Sequence, residues 1–195
     1  MGRAEATRRR LLDAATDEFA AYGIAGARVD RIAAAAHANK AQLYAYFGSK
    51  EGLFDAVFRQ HLVGLMDAVP LTGGDLPRYA VRLYDFYLTS PTLVRLAMWA
   101  RLERRPHGEL VPDDESHQSK IDEIVEAQQT GVVDPTMDPR DVHALVIAMS
   151  HSWSPVSLTY ATHLQDDGAG HDRRRRQLRE AVRRAVAPPD AVTPG

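Results

Sequence analysis

Residues Ala27–Lys50 read ARVDRIAAAAHANKAQLYAYFGSK, two short apolar-faced segments joined by a turn of three residues. Val29, Ile32, Ala33 and Ala36 share one helical face, and Leu43 and Phe47 share a face of the second segment. Two helices joined so tightly share a core only by crossing steeply beneath a third. The small side chains at 33 to 36 let that crossing be close. The pattern predicts a helix-turn-helix. Asn39 is placed to cap its second helix, leaving Lys40, Ala41 and Gln42 facing outward opposite Leu43 and Phe47. Exposed polar residues on such a helix suit base edges in a major groove. Tyr44 and Tyr46 can donate hydroxyls to phosphate, and Ser49–Lys50 opens the next helix with free amides and a lysine. The same residues also fit a three-helix bundle with a merely polar surface.

Outward from this stretch, the chain reads as helix throughout. Leu11, Ala15, Phe19 and Tyr22 recur at helical spacing over Glu5–Tyr22, and Gly23 is the expected stop. After Ser49 a longer helix carries Leu53, Phe54, Val57, Phe58 and Leu62 on one side. Pro70–Pro77 (PLTGGDLP) reads as a linker. Further helices are predicted over Arg78–Thr89, Thr92–Arg104, Asp114–Gln129, Arg140–Tyr160 and Arg173–Ala187. The acidic, glycine-containing stretch Gln165–Asp172 is read as a break. The expected organisation is all-α. A three-helix, homeodomain-like headpiece spans 1–50, a connecting helix 51–69, a larger helical body 70–187, and a disordered tail 188–195.

Composition narrows the function. The 195 residues are 45% hydrophobic and 26% charged, an ordinary globular balance. Without cysteine there is no disulfide, thiolate zinc site or cysteine nucleophile. The N-terminus lacks the apolar region of a signal peptide, and no apolar run approaches the roughly 18–20 residues needed to span a bilayer. A cytoplasmic protein with no membrane partner is expected. Net charge is −2, unevenly spread: residues 1–50 carry eight Lys/Arg and five acids, so the headpiece is +3 and the rest −5. A basic headpiece on an acidic body fits a local nucleic-acid footprint, though charge fluctuation produces the same split. The eight histidines include no pair three or four residues apart, and His143 and His151 are separated by roughly 12 Å of helical rise. No metal is expected. Gly-rich phosphate loops, nucleophile elbows and paired carboxylates are missing, so neither an enzyme nor a cofactor is expected.

Arg8–Phe58 (RRRLLDAATDEFAAYGIAGARVDRIAAAAHANKAQLYAYFGSKEGLFDAVF) resembles the N-terminal domain of the TetR family of bacterial repressors. The resemblance rests on a leading basic residue with Leu-Leu, then Ala-Ala and Phe, then a Tyr-Gly stop. Val-x-x-Ile-Ala-x-x-Ala, Lys-x-x-Leu-Tyr-x-Tyr-Phe and Ser-Lys-Glu-x-Leu follow. It implies an all-α homodimer whose headpieces enter successive major grooves of a near-palindromic double-stranded operator, released by a small apolar or amphipathic effector. It places Asn39, Lys40, Ala41, Gln42 and Tyr44 on the recognition helix, with Tyr46 and Lys50 on the DNA backbone. Two positions depart from the family pattern. Arg28 stands where Ser or Thr usually caps a helix, trading a cap for a phosphate ligand. His37 stands where the turn usually has Gly.

In the body, Tyr84, Tyr87, Met98 and Trp99 are candidates to line an effector pocket. Leu102, Met149, His151 and Trp153 join them. Each also serves as plain core. On the last helix Leu178, Val182 and Val186 lie on an apolar stripe flanked by arginines. The resemblance implies that this stripe pairs with a second subunit. The arginines alone also fit an additional DNA- or membrane-binding face. Ligand binding without DNA function and nonspecific architectural DNA binding are the alternatives to an operator-specific regulator.

Overall fold

A computed structural model describes residues 2–72, 74–108, 110 and 115–189, so most of the predicted tail lies outside the described residues. Among these, nine α-helices occur: α1 (Arg3–Gly26), α2 (Val29–Ala35), α3 (Lys40–Phe47), α4 (Lys50–Ala68), α5 (Leu76–Thr89), α6 (Pro91–Glu103), α7 (Glu115–Gln129), α8 (Pro139–Ser150) and α9 (Gly168–Val186). The chain divides into two units. One holds Met1–Gly64 with Thr92–Leu110, the other Leu65–Pro91 with Val111–Gly195. α6, which the sequence reading assigns to the 70–187 body, groups here with the N-terminal helices.

The first unit is built on the apolar face of α1. Leu11, Ala15 and Phe19 are fully buried with Ile32, Leu43, Leu53 and Val57, and Phe19 meets Phe54 edge-on at 5.2 Å. Tyr22, expected on the same inward face, is 54% exposed and carries the Arg31 guanidinium over its ring at 4.3 Å. The cause is Gly23, whose φ of 71° and ψ of −176° break α1 and turn Ile24 inward. That backbone region is essentially restricted to glycine. A Cβ at Gly23 would also stand 3.0 Å from the Trp99 ring and 2.6 Å from Glu103 Oε1. Glu103 Oε2 accepts the Ala25 N–H at 2.7 Å, which ties α6 to the end of α1.

The second unit centres on α5, which packs against α8 and α9, while α7 packs on α8. Tyr79, Ala80, Leu83, Tyr84 and Tyr87 of α5 are buried with Ile124, Val142, Val146, Leu178 and Val182. Asp75 caps α5 by accepting the Arg78 N–H at 3.0 Å. Two boundaries differ from expectation. α8 stops at Ser150, with His151 as its C-cap, rather than running to Tyr160. α9 starts at Gly168, inside the stretch read as a break, because Asp167 accepts the Ala169 and Gly170 N–H groups and caps it. No helix among the described residues is long and apolar enough to cross a membrane, and no cluster of three His, Asp or Glu side chains there could hold a metal.

Candidate nucleic-acid interface

The turn between α2 and α3 is set by its backbone. His37, at the position expected to favour glycine, has a φ of 50°, the left-handed conformation that reverses the chain. Its N–H donates to Ala34 O, and the Ala38 N–H donates to Ala33 O, closing the end of α2. Arg10 Nε donates to Ala36 O at 3.0 Å and fixes the turn to α1.

Asn39 caps α3 as the sequence suggests. Its Oδ1 accepts the Gln42 N–H at 2.8 Å, and Gln42 Oε1 in turn accepts the Asn39 N–H at 3.1 Å. This reciprocal capping box gives Gln42 a structural role besides the base contact expected of it. Leu43 is fully buried, whereas Lys40, Ala41, Gln42, Tyr44, Ala45 and Tyr46 are exposed. α3 thus presents a mostly polar face with two small aliphatic positions, Ala41 and Ala45. Phe47 is only half-buried, and Arg8 lies 5.7 Å from its ring centre.

The other expected contact residues are held in place within the unit. Lys40 Nζ is 2.7 Å from Asp30 Oδ1, and that carboxylate raises the lysine pKa. Tyr46 Oη donates to Ala4 O at 3.1 Å. Lys50 Nζ lies 3.3 Å from both Ala25 O and Ala27 O, so it also closes the end of α1. Ser49 Oγ accepts the Gly52 N–H and caps α4. Arg28 makes no side-chain cap for α2. Its backbone N–H instead donates to Glu18 Oε1 at 2.8 Å, leaving its side chain exposed.

Glu18 is the residue that the sequence reading missed. It is buried, and its carboxylate accepts from Arg31 Nε at 2.8 Å and Nη2 at 2.5 Å as well as from Arg28 N–H. Burial pushes the carboxyl pKa up, but the Arg31 and Arg28 hydrogen bonds outweigh it and leave the pKa lowered. The only sequence signal was an acid on the inward side of α1, one turn from Ala15.

The eight candidate effector contacts are divided between the two units. Tyr84, Tyr87, Met149, His151 and Trp153 lie in the second unit; Met98, Trp99 and Leu102 lie on α6 in the first. Trp99 backs Gly23, and Leu102 is 66% exposed. Trp153 is on the loop after α8 rather than on a helix, its ring edge-on to Tyr84 at 5.9 Å. His151 lies 4.1 Å from the Tyr87 ring, and its Nδ1 donates to Ile147 O at 2.9 Å. Burial lowers the His151 pKa and raises that of Tyr87. Tyr84 Oη is 2.7 Å from His171 Nδ1, and His171 Nε2 is 3.0 Å from His163 O. A carbonyl only accepts, so Nε2 carries the proton and Nδ1 accepts from the tyrosine. Leu178, Val182 and Val186, expected on a subunit interface, are 2%, 0% and 3% exposed within the single chain. Their stripe faces inward, which corrects that expectation.

Comparison with known proteins fits this geometry. The profile described as "Bacterial regulatory proteins, tetR family" matches residues 11–57, and that described as "Tetracyclin repressor-like, C-terminal domain" matches 75–184. The HTH-type transcriptional repressor SCO4008 of Streptomyces coelicolor is 36% identical over 187 residues, covering 93% of this chain and 96% of its own. RutR of Escherichia coli is 44% identical over 57 residues, 29% of this chain and 27% of RutR. The crystal structure of SCO4942 from Streptomyces coelicolor superposes with a TM-score of 0.75 at 36% identity, covering 94% of this chain and 99% of that one. With both profiles in chain order and a relative matched nearly end to end, the chain belongs to the TetR family of helix-turn-helix transcriptional regulators.

Proposed function

We propose that this regulator acts as an effector-responsive repressor, binding a near-palindromic operator as a homodimer. The observation that carries the reading is α3: capped by Asn39, anchored by fully buried Leu43, and exposed along Lys40, Ala41, Gln42, Tyr44 and Tyr46. Repression is supported by SCO4008, named a transcriptional repressor and related over almost the whole chain. An effector is supported by the aromatic set of the second unit, Tyr84, Tyr87, His151 and Trp153. With α9's stripe turned inward, exposed Val132, Leu145, Leu158 and Leu164 are among the apolar groups of that unit open to a subunit contact. The effector acts by binding one conformation better than the other; reversing a 1:99 population takes about 5.5 kcal/mol of differential affinity.

The test is a footprint on DNA flanking the protein's own gene, at several salt concentrations and with unrelated competitor duplex. Protection of one near-palindromic site that survives competitor supports the operator reading. Uniform protection that vanishes with salt means nonspecific binding. Absence of protection there and across the genome returns the chain to ligand binding without DNA function.

A further inference from the structure

The arginines of α9 differ in their surroundings. Arg175 pairs with Asp85 and Asp172 at 2.8 Å each, and Arg183 and Arg184 pair with Glu180. Arg174 is only 7% exposed, yet its buried Nη1 has no hydrogen-bond partner and no carboxylate among the described residues pairs with it. Its guanidinium lies over the face of Tyr160, 5.2 Å from the ring centre. An unpaired buried charge is among the costliest groups a fold can hold, and arginine does not escape by losing its proton.

The acids nearest in sequence are already committed. Asp167 accepts the Ala169 and Gly170 N–H groups, Asp166 accepts the His163 N–H, and Asp172 holds Arg175. The guanidinium lies back over Gly170, where a Cβ would stand 3.3 Å from Nη1. It therefore sits at the N-terminal turn of α9, where the helix dipole adds positive potential. The loop after α8 folds against this turn. Thr162 N–H and Oγ1 both donate to Trp153 O at 3.0 Å, and His171 Nε2 reaches His163 O. Within that loop Ser154, 3% exposed, has a second buried polar atom without a partner, its Oγ.

We infer that the junction of the Trp153–Thr162 loop with the first turns of α9 binds an organic carboxylate with an aromatic body. The Arg174 guanidinium takes the carboxylate, and Tyr160, whose ring it lies over, supplies aromatic surface beside it. A guanidinium matches a carboxylate in charge and geometry, and the pair strengthens where water is excluded. The inference rests on the second unit being the effector-sensing part, and it narrows an apolar or amphipathic effector to an anionic, aromatic one.

Thermal unfolding of the full chain tests it, with millimolar benzoate as probe, benzamide as its neutral counterpart and sodium chloride at matched ionic strength. Ligand that binds only the folded state raises Tm. Benzoate is expected to raise Tm by several degrees, and benzamide and chloride to leave it in place. Replacing a buried orphan charge with an apolar side chain is neutral or stabilising. Arg174→Met is therefore expected to melt no lower than wild type and to lose the benzoate shift. No benzoate shift in wild type, an equal shift with chloride, or a shift retained in Arg174→Met overturns the inference. So does an Arg174→Met chain that sediments as monomer where wild type is a dimer, because the guanidinium's partner is then a second subunit. An operator footprint without a benzoate response removes this inference alone. A benzoate response without a footprint leaves the site standing and removes the operator reading.

Discussion

Lys40 Nζ lies 2.7 Å from Asp30 Oδ1, so the first residue of α3 is held by an acid of the preceding helix. Both side chains are more than half exposed, and such a pair contributes little to stability. It also keeps a negative charge beside the α3 face proposed to meet DNA. Asp30→Asn should leave the melting temperature nearly unchanged and tighten operator binding roughly threefold at low salt, with the gain fading as salt rises. Titration of labelled operator at two ionic strengths checks this. Weaker binding would mean that the carboxylate orients Lys40 for its contact.

Glu18 unites α1 and α2 through one buried carboxylate. Glu18→Ala leaves the Arg28 N–H without its partner and removes the Arg31 brace. The expected loss is about 2 kcal/mol in urea unfolding. Because the folded-state pKa is lowered, the contribution is complete above the ordinary carboxyl value of 4.5 and disappears as pH falls through the lower folded value. The wild-type advantage over Glu18→Ala should therefore shrink in acid. A constant gap would place the effect in packing rather than in charge.

His37 holds a left-handed backbone at φ 50° with a Cβ that resists it. His37→Gly should stabilise the chain by about 0.5 kcal/mol, the relief of strain outweighing the added freedom of the unfolded chain. His37→Val should destabilise it, since a β-branched residue tolerates this region worst. Melting temperatures of the two variants should bracket the wild type.

What the sequence made legible was local. The Asn39 cap, the strained turn at His37 and the burial of Leu43 are all determined within a few residues, and the structure has all three. The inward stripe of α9 was visible too, but periodicity shows only that a face is apolar. It does not say whether α5 of the same chain or a second subunit covers it. The packing of Trp99 against Gly23 has no such local signal, since nothing in the sequence near either residue brings α6 to the end of α1. The end of α8 was there to read: Pro155 cannot sit in a helix interior, and the chain leaves the helix before it. Asp167 was likewise a cap signal, masked by the glycines that follow it.

His143 of α8 is buried between α5 and α7, with Tyr79 stacked at 6.3 Å and His117 edge-on at 5.1 Å, and its Nε2 has no partner. Burial first, then the charges of His117 and Lys120, pushes its pKa down to about 4. In the unfolded chain the imidazole titrates near its ordinary 6.5. Between these values the unfolded state binds a proton that the folded state refuses, so stability falls as pH drops through this window. The full penalty is on the order of 3 kcal/mol. Above pH 7 both states are neutral and the penalty vanishes. Urea midpoints measured from pH 7.5 to 4.5 should therefore decline in wild type. They should decline less in His143→Phe, which keeps an aromatic ring against Tyr79 and cannot be protonated. Equal declines would assign the acid sensitivity to other groups, His151 among them, since burial lowers its pKa too.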